Sequence, residues 1–107
     1  MAAFAAMIPA ALSIKKTHAE KAQAVTHNVE IQDFSFIPEI IEARIGDRIS
    51  WTNRDIAPHT ATADNESWDT GTLEKDQQAT ITVYKDMVLT YFCRHHPSMT
   101  ANIKLKS

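Results

Sequence analysis

Apolar and polar residues alternate along most of the chain, in short runs separated by turn material. Val29 and Ile31 stand between polar neighbours, Ile41, Ala43 and Ile45 share one parity, and Ile49 and Trp51 alternate with Ser50 and Thr52. Further on, Ala79, Ile81 and Val83 alternate with Thr80, Thr82 and Tyr84, and Leu89, Tyr91 and Cys93 share one parity. Ala101, Ile103 and Leu105 alternate with Asn102, Lys104 and Lys106. A period of two sends successive side chains to opposite faces of a strand; an amphipathic helix would repeat near 3.6, and no such repeat is sustained. Turn signals lie between the runs: Gly46-Asp47, Ala57-Pro58, Asp64-Asn65, Lys85-Asp86 and His96-Pro97-Ser98. The pattern predicts an all-β domain, a small antiparallel β-sandwich with one face of each strand inward.

The parity of the last runs has a chemical consequence. Cys93 continues the inward set of Leu89 and Tyr91, so its sulfur is expected to face the core where the strand ends. The loop "CRHHPSM" then turns back before the strand that starts at Ala101, which sets His96 and Met99 on a tight loop at one pole. Cys93, His96 and Met99 are spaced Cys-x2-His-x2-Met, and Pro97 stiffens the loop by fixing φ. A second imidazole has to come from elsewhere, and His59 is the candidate, in a Pro-His turn that follows the strand through Trp51.

Taken singly, each donor is ordinary. A lone cysteine at a strand end is more often a small buried hydrophobe, a histidine beside a proline is usually polar surface, and a methionine usually fills core. The joint pattern changes the weighing, because two imidazoles, a thiolate and a weak axial thioether make the donor set of a blue-copper site. Zinc fits less well, since its structural sites use four strong Cys or His donors. His95, next to His96, is expected to be exposed, and His18 and His27 to face solvent near the start of the domain.

Charge and cysteine count narrow the partners. Apart from Lys15 and Lys16, 9 basic residues stand against 13 acidic ones, all from Glu20 onward, which argues against nucleic acid. A single cysteine excludes an internal disulfide, and metal ligation would occupy the thiol. Residues 1–14 are nearly all apolar or small, too short a run for a membrane span of roughly 20 residues. That run fits the apolar region of a secretory signal, with Ala22-Gln23-Ala24 as the cleavage motif, although no Lys or Arg precedes it. The expected division is residues 1–24 as signal or apolar segment and 25–107 as the copper domain. The expected location is periplasmic, with membrane anchoring only if the segment is kept.

With these residues in hand the chain resembles the cupredoxins, the small type-1 blue copper proteins. The stretch "FSFIPEIIEARIGDRISWTNRDIAPHTAT" is similar to the family's first half and "YFCRHHPSMTANIKL" to its second. Within the family, the short Cys-to-Met loop is similar to that of the amicyanins. Arg94, His95 and Thr100 depart from the residues common at their positions. The resemblance implies a Greek-key β-sandwich with one copper at one pole, bound by His59, Cys93, His96 and Met99, the histidines through Nδ1. It implies that Asn53 ties the two ligand loops together, that the Thr60 N–H points at the Cys93 sulfur, and that Ile56, Ala57, Pro58 and Pro97 ring the exposed edge of His96.

The function expected from this reading is a periplasmic one-electron carrier cycling Cu(II) and Cu(I), not an enzyme, because four protein ligands leave no open coordination position. A monomer is expected, with a redox donor and acceptor as partners; the amicyanin likeness suggests an amine dehydrogenase and a c-type cytochrome. A copper module for delivery or storage is the alternative, and a metal-free sandwich that mediates contacts is the third class.

Overall fold

The computed structural model describes residues 23–107. The expected segment 1–24 lies outside them except for Gln23 and Ala24 of its cleavage motif, and His18 lies outside them as well. Eight strands form: β1 (Thr26–Gln32), β2 (Ser35–Ile37), β3 (Ile40–Ala43), β4 (Arg48–Asn53), β5 (Thr62–Ala63), β6 (Gln78–Thr82), β7 (Thr90–Phe92) and β8 (Thr100–Leu105). They make two four-stranded sheets, ordered β2-β1-β4-β6 and β3-β8-β7-β5. Among the described residues no helix forms. The all-β sandwich is as expected.

The sheets are not purely antiparallel, and this corrects one expectation. β1 runs parallel to β4, with Val29 opposite Trp51, and β3 runs parallel to β8, with Ile41 opposite Ile103. The chain leaves the first sheet after β2, enters the second as β3 and returns as β4 on the far side of β1 from β2, pointing the same way. Alternation cannot reveal this, because side chains alternate equally in parallel and antiparallel pairs.

The inward faces meet in one core. Val29, Ile31, Ile49 and Trp51 come from the first sheet, and Ile41, Ala43, Tyr91, Ala101 and Ile103 from the second. Trp51 stacks on Trp68 at 5.6 Å and meets Tyr91 edge-on at 5.6 Å. The two polar tips satisfy each other, the indole N–H donating to the Tyr91 hydroxyl at 3.3 Å. Burial pushes that phenol up to about 12. Ile45 and Leu105, read as inward, are exposed. Ala43 pairs with Leu105 at the last register position of the β3–β8 ladder, so both residues lie where the sheet runs out.

Candidate metal centre

The loop after β7 closes by backbone hydrogen bonds. His96 N–H donates to the Cys93 carbonyl at 3.2 Å, Met99 N–H to the His96 carbonyl at 2.9 Å, and Cys93 N–H to the Met99 carbonyl at 3.1 Å. The first two bonds each join residues three apart, so the loop is two consecutive turns, with Pro97 at the second position of the latter, where its fixed φ is favoured. This explains the x2 spacing: each turn brings the next donor back toward the same point. Cys93 and Met99 are buried, His96 half-buried and Pro97 exposed.

His59 reaches the same point from the other side of the pole. Its backbone is fixed by reciprocal bonds to Leu73, at 3.1 and 2.7 Å. Asn53, at the end of β4, shapes the approach: its amide donates to the carbonyls of Ala57 and Leu73, and its oxygen accepts from the Asp55 N–H. Asn53 therefore braces the His59 loop internally and against Leu73, and does not tie it to the Cys93 loop as expected. Thr60 makes that tie. Its N–H donates to the Cys93 sulfur at 3.4 Å, and its hydroxyl oxygen accepts from the Arg94 N–H at 2.8 Å.

The rings converge on the sulfur. His59 Nδ1 lies 3.5 Å and His96 Nδ1 3.7 Å from Cys93 Sγ. Donor atoms of the three residues all lie within 4.8 Å of one another, a group able to hold one metal ion. With metal–sulfur and metal–nitrogen bonds of about 2.3 and 2.0 Å, tetrahedral to trigonal angles put S and N roughly 3.5–3.8 Å apart, so these separations suit two donors sharing one ion. Met99 sits buried at the end of the same loop, where a thioether would complete the set.

The tautomer of His59 also fits. Its Nε2 lies 2.8 Å from an Asp55 carboxylate oxygen. Burial would raise the Asp55 carboxyl, but the N–H groups of Phe34 and Asp33 and the His59 side chain outweigh it and hold it below the usual range. A carboxylate only accepts, so Asp55 favours the proton on Nε2, the tautomer in which the Nδ1 lone pair facing the sulfur is free for a metal.

Two residues of this centre escape a reading of motifs. Asp55 lies four positions before His59 in a turn, where no spacing rule marks it. Phe34 lies in the turn between β1 and β2, and its ring meets His96 edge-on at 4.7 Å and His59 edge-on at 5.1 Å. It is half exposed and shares a shallow hollow with Ile56 and Ala57. Ile56 is 86% exposed and lines that hollow beside Phe34, whose ring is the apolar neighbour of His96. His95 is exposed, as expected, and its Nε2 lies 3.0 Å from the Thr72 hydroxyl. His27 departs from expectation: it is half-buried in β1, with Nε2 2.9 Å from Asp47.

No protein-family model and no curated protein matches the chain. Solved structures do. Amicyanin from Paracoccus versutus aligns at 27% identity over 79% of this chain and 83% of its own, with a TM-score of 0.64. A reduced Cu(I) form of an amicyanin mutant at pH 4 aligns at 20% identity over 76% and 82%, with a TM-score of 0.67. A copper-containing nitrite reductase from Thermus scotoductus aligns at 22% identity over 77% of this chain, with a TM-score of 0.66, but over only 22% of the reductase. The chain has the cupredoxin fold, with a His-Cys-His group and a nearby methionine at one pole.

Proposed function

We propose that this cupredoxin-fold chain is a one-electron carrier that binds one copper through His59, Cys93, His96 and Met99. The observation that carries the reading is the approach of two imidazole Nδ1 atoms, from loops far apart in sequence, to one buried sulfur at 3.5 and 3.7 Å. Copper held by such a set supplies a Cu(II)/Cu(I) couple.

The chain's own groups favour exchange with little rearrangement. Asp55 orients His59, Thr60 N–H fixes the sulfur, and the double turn holds His96 and Met99. A site held in place by neighbours need not reorganise when its charge changes. His96 is the half-exposed donor, and Phe34 and Ile56 offer apolar surface near it, which suits brief docking of a redox partner. Four protein donors leave no place for a substrate, which supports a carrier over an enzyme. The apolar start and its A-x-A motif support export to the periplasm.

The test is the visible and EPR spectrum of the protein loaded with one Cu(II), then reduced and reoxidised. The expected result is a strong blue band with narrow copper hyperfine splitting that returns on cycling, and its loss in Cys93→Ser, since the band needs the thiolate. A pale tetragonal signal, or colour that survives Cys93→Ser, overturns the assignment.

A further inference from the structure

Behind the candidate centre lies a closed ring of polar groups. The Arg94 N–H donates to the Thr60 hydroxyl oxygen at 2.8 Å. The Thr60 and Thr62 hydroxyls lie 2.8 Å apart, and the Thr62 hydroxyl donates to Asp69 Oδ1 at 2.8 Å. The Arg94 guanidinium returns to Asp69 Oδ2 at 2.9 Å, so Arg94 sits at both ends. Thr60 and Thr62 are buried, and their hydroxyls have no access to water as an alternative partner.

The direction of every proton in this ring follows from valence. Each hydroxyl has one proton. Asp69 can only accept while ionised, and although burial opposes ionisation, the Gly71 N–H, the Thr62 hydroxyl and Arg94 keep its carboxyl below the usual range. The Thr62 proton is therefore spent on Asp69, the Thr60 proton on Thr62, and the Thr60 oxygen is left to accept the Arg94 amide. The dipoles run one way, from the backbone beside Cys93 to the carboxylate, and such aligned bonds strengthen one another.

The anchored residues are the ones that matter to the sulfur. Thr60 follows His59 and Arg94 follows Cys93, so the ring joins the two loops that present the donors. It commits the Arg94 amide proton to the Thr60 oxygen, not to the adjacent sulfur. It also fixes Thr60, whose own N–H is directed at Cys93 Sγ. Hydrogen bonding around the cysteine sulfur is one of the levers on a copper–thiolate potential.

We propose that Thr62 and Asp69 are positioning residues of the metal centre: through the ring they hold the Thr60 N–H on the Cys93 sulfur and so set the reduction potential. The proposal rests on the electron-carrier reading, and the experiment separates the two. In Thr62→Val the ring is cut at nearly constant volume while the Asp69 charge stays. The weaker bond to sulfur leaves it more electron-rich, which favours the oxidised form, so the potential falls. Thr62→Ala, which cannot overfill the site, gives the same fall, and Thr62→Ser restores the wild-type value. In the metal-free protein, the amide resonances of Thr60 and Arg94 move in Thr62→Val and return in Thr62→Ser. A potential that rises or stays put in Thr62→Val and Thr62→Ala, or amide resonances that do not move, overturns the proposal. If the wild-type protein gives no blue band, the carrier reading fails, and the amide resonances still decide whether the ring governs Thr60.

Discussion

Two histidine–aspartate pairs occupy opposite ends of β1, and they are built alike. Asp47 accepts the backbone N–H of Val25, the backbone N–H of Arg44 and His27 Nε2. Asp55 accepts the backbone N–H of Asp33, the backbone N–H of Phe34 and His59 Nε2. Each carboxylate staples two backbone N–H groups to a histidine, and each carboxyl is pulled down against the effect of burial, Asp47 to about 2. The difference lies in the other ring nitrogen. His59 is fully buried, 0% exposed against 23% for the His27 side chain, and its Nδ1 faces the Cys93 sulfur at 3.5 Å. Nδ1 of His27 has no such partner among the described residues. The same local motif is thus a fold staple at one end and a ligand-orienting device at the other, and what surrounds the imidazole decides which.

The largest way to break the comparison is to remove each ring. His59→Ala is expected to abolish the intense visible band of the copper-loaded protein, whereas His27→Ala leaves band position and intensity unchanged. Optical titration with Cu(II) reads both. A band lost in His27→Ala would mean that the two pairs are coupled and that the contrast is wrong.

The comparison also marks what was legible before the structure. The loop Cys93–Met99 could be read because its geometry depends on near neighbours: two turns and a strand parity place Cys93, His96 and Met99 with no help from the rest of the chain. His59 was legible by its chemistry, as the imidazole such a set lacks. Asp55 and Phe34 were not: Asp55 reaches His59 from within its own turn, at a position that carries no motif, and Phe34 meets His59 and His96 from a turn distant in sequence. Asn53 and His27 were misplaced for a related reason: a short polar side chain bonds whatever the fold brings near, and composition does not say what that is. Strand existence was readable from alternation, strand direction was not, and β5, with 2 residues, is too short to alternate.

A smaller effect separates the carboxylates. Asp47→Ala and Asp55→Ala each strand backbone donors, and each is expected to cost about 2 kcal/mol in urea unfolding of the metal-free protein. Only Asp55→Ala is expected to alter the copper spectrum, because it removes the partner that orients the His59 ring. The pH dependence of the Asp47 staple follows from its shift. A carboxyl at about 2 in the folded state, against 3.8 ordinarily, contributes stability that is complete above pH 4 and is lost as pH falls through 2. Asp47→Asn is expected to flatten that acid limb; an unchanged limb would place the acid sensitivity elsewhere.

The smallest effect concerns the turns the two carboxylates hold. The turn at Asp47 has glycine at its positive φ, Gly46 at 99°. The turn at Asp55 has both central residues, Asp33 at 54° and Phe34 at 57°, in the left-handed region, the type I′ pattern of a two-residue hairpin. Phenylalanine is a costly residue there, by about 1 kcal/mol relative to glycine. The half-exposed ring makes two edge-on contacts, each worth about 0.5–1.5 kcal/mol when well packed and less when open to water. Phe34→Gly makes this turn like its counterpart. Backbone gain and ring loss then nearly cancel, and unfolding of the metal-free protein is expected to shift by less than about 1 kcal/mol. The electron self-exchange rate of the copper-loaded protein, measured by NMR line broadening, is expected to change in the same variant, since the Phe34 ring lies against His96, the half-exposed donor. A stability loss above about 2 kcal/mol with an unchanged exchange rate would make Phe34 a packing residue and return its left-handed turn to the fold-staple class of Asp47.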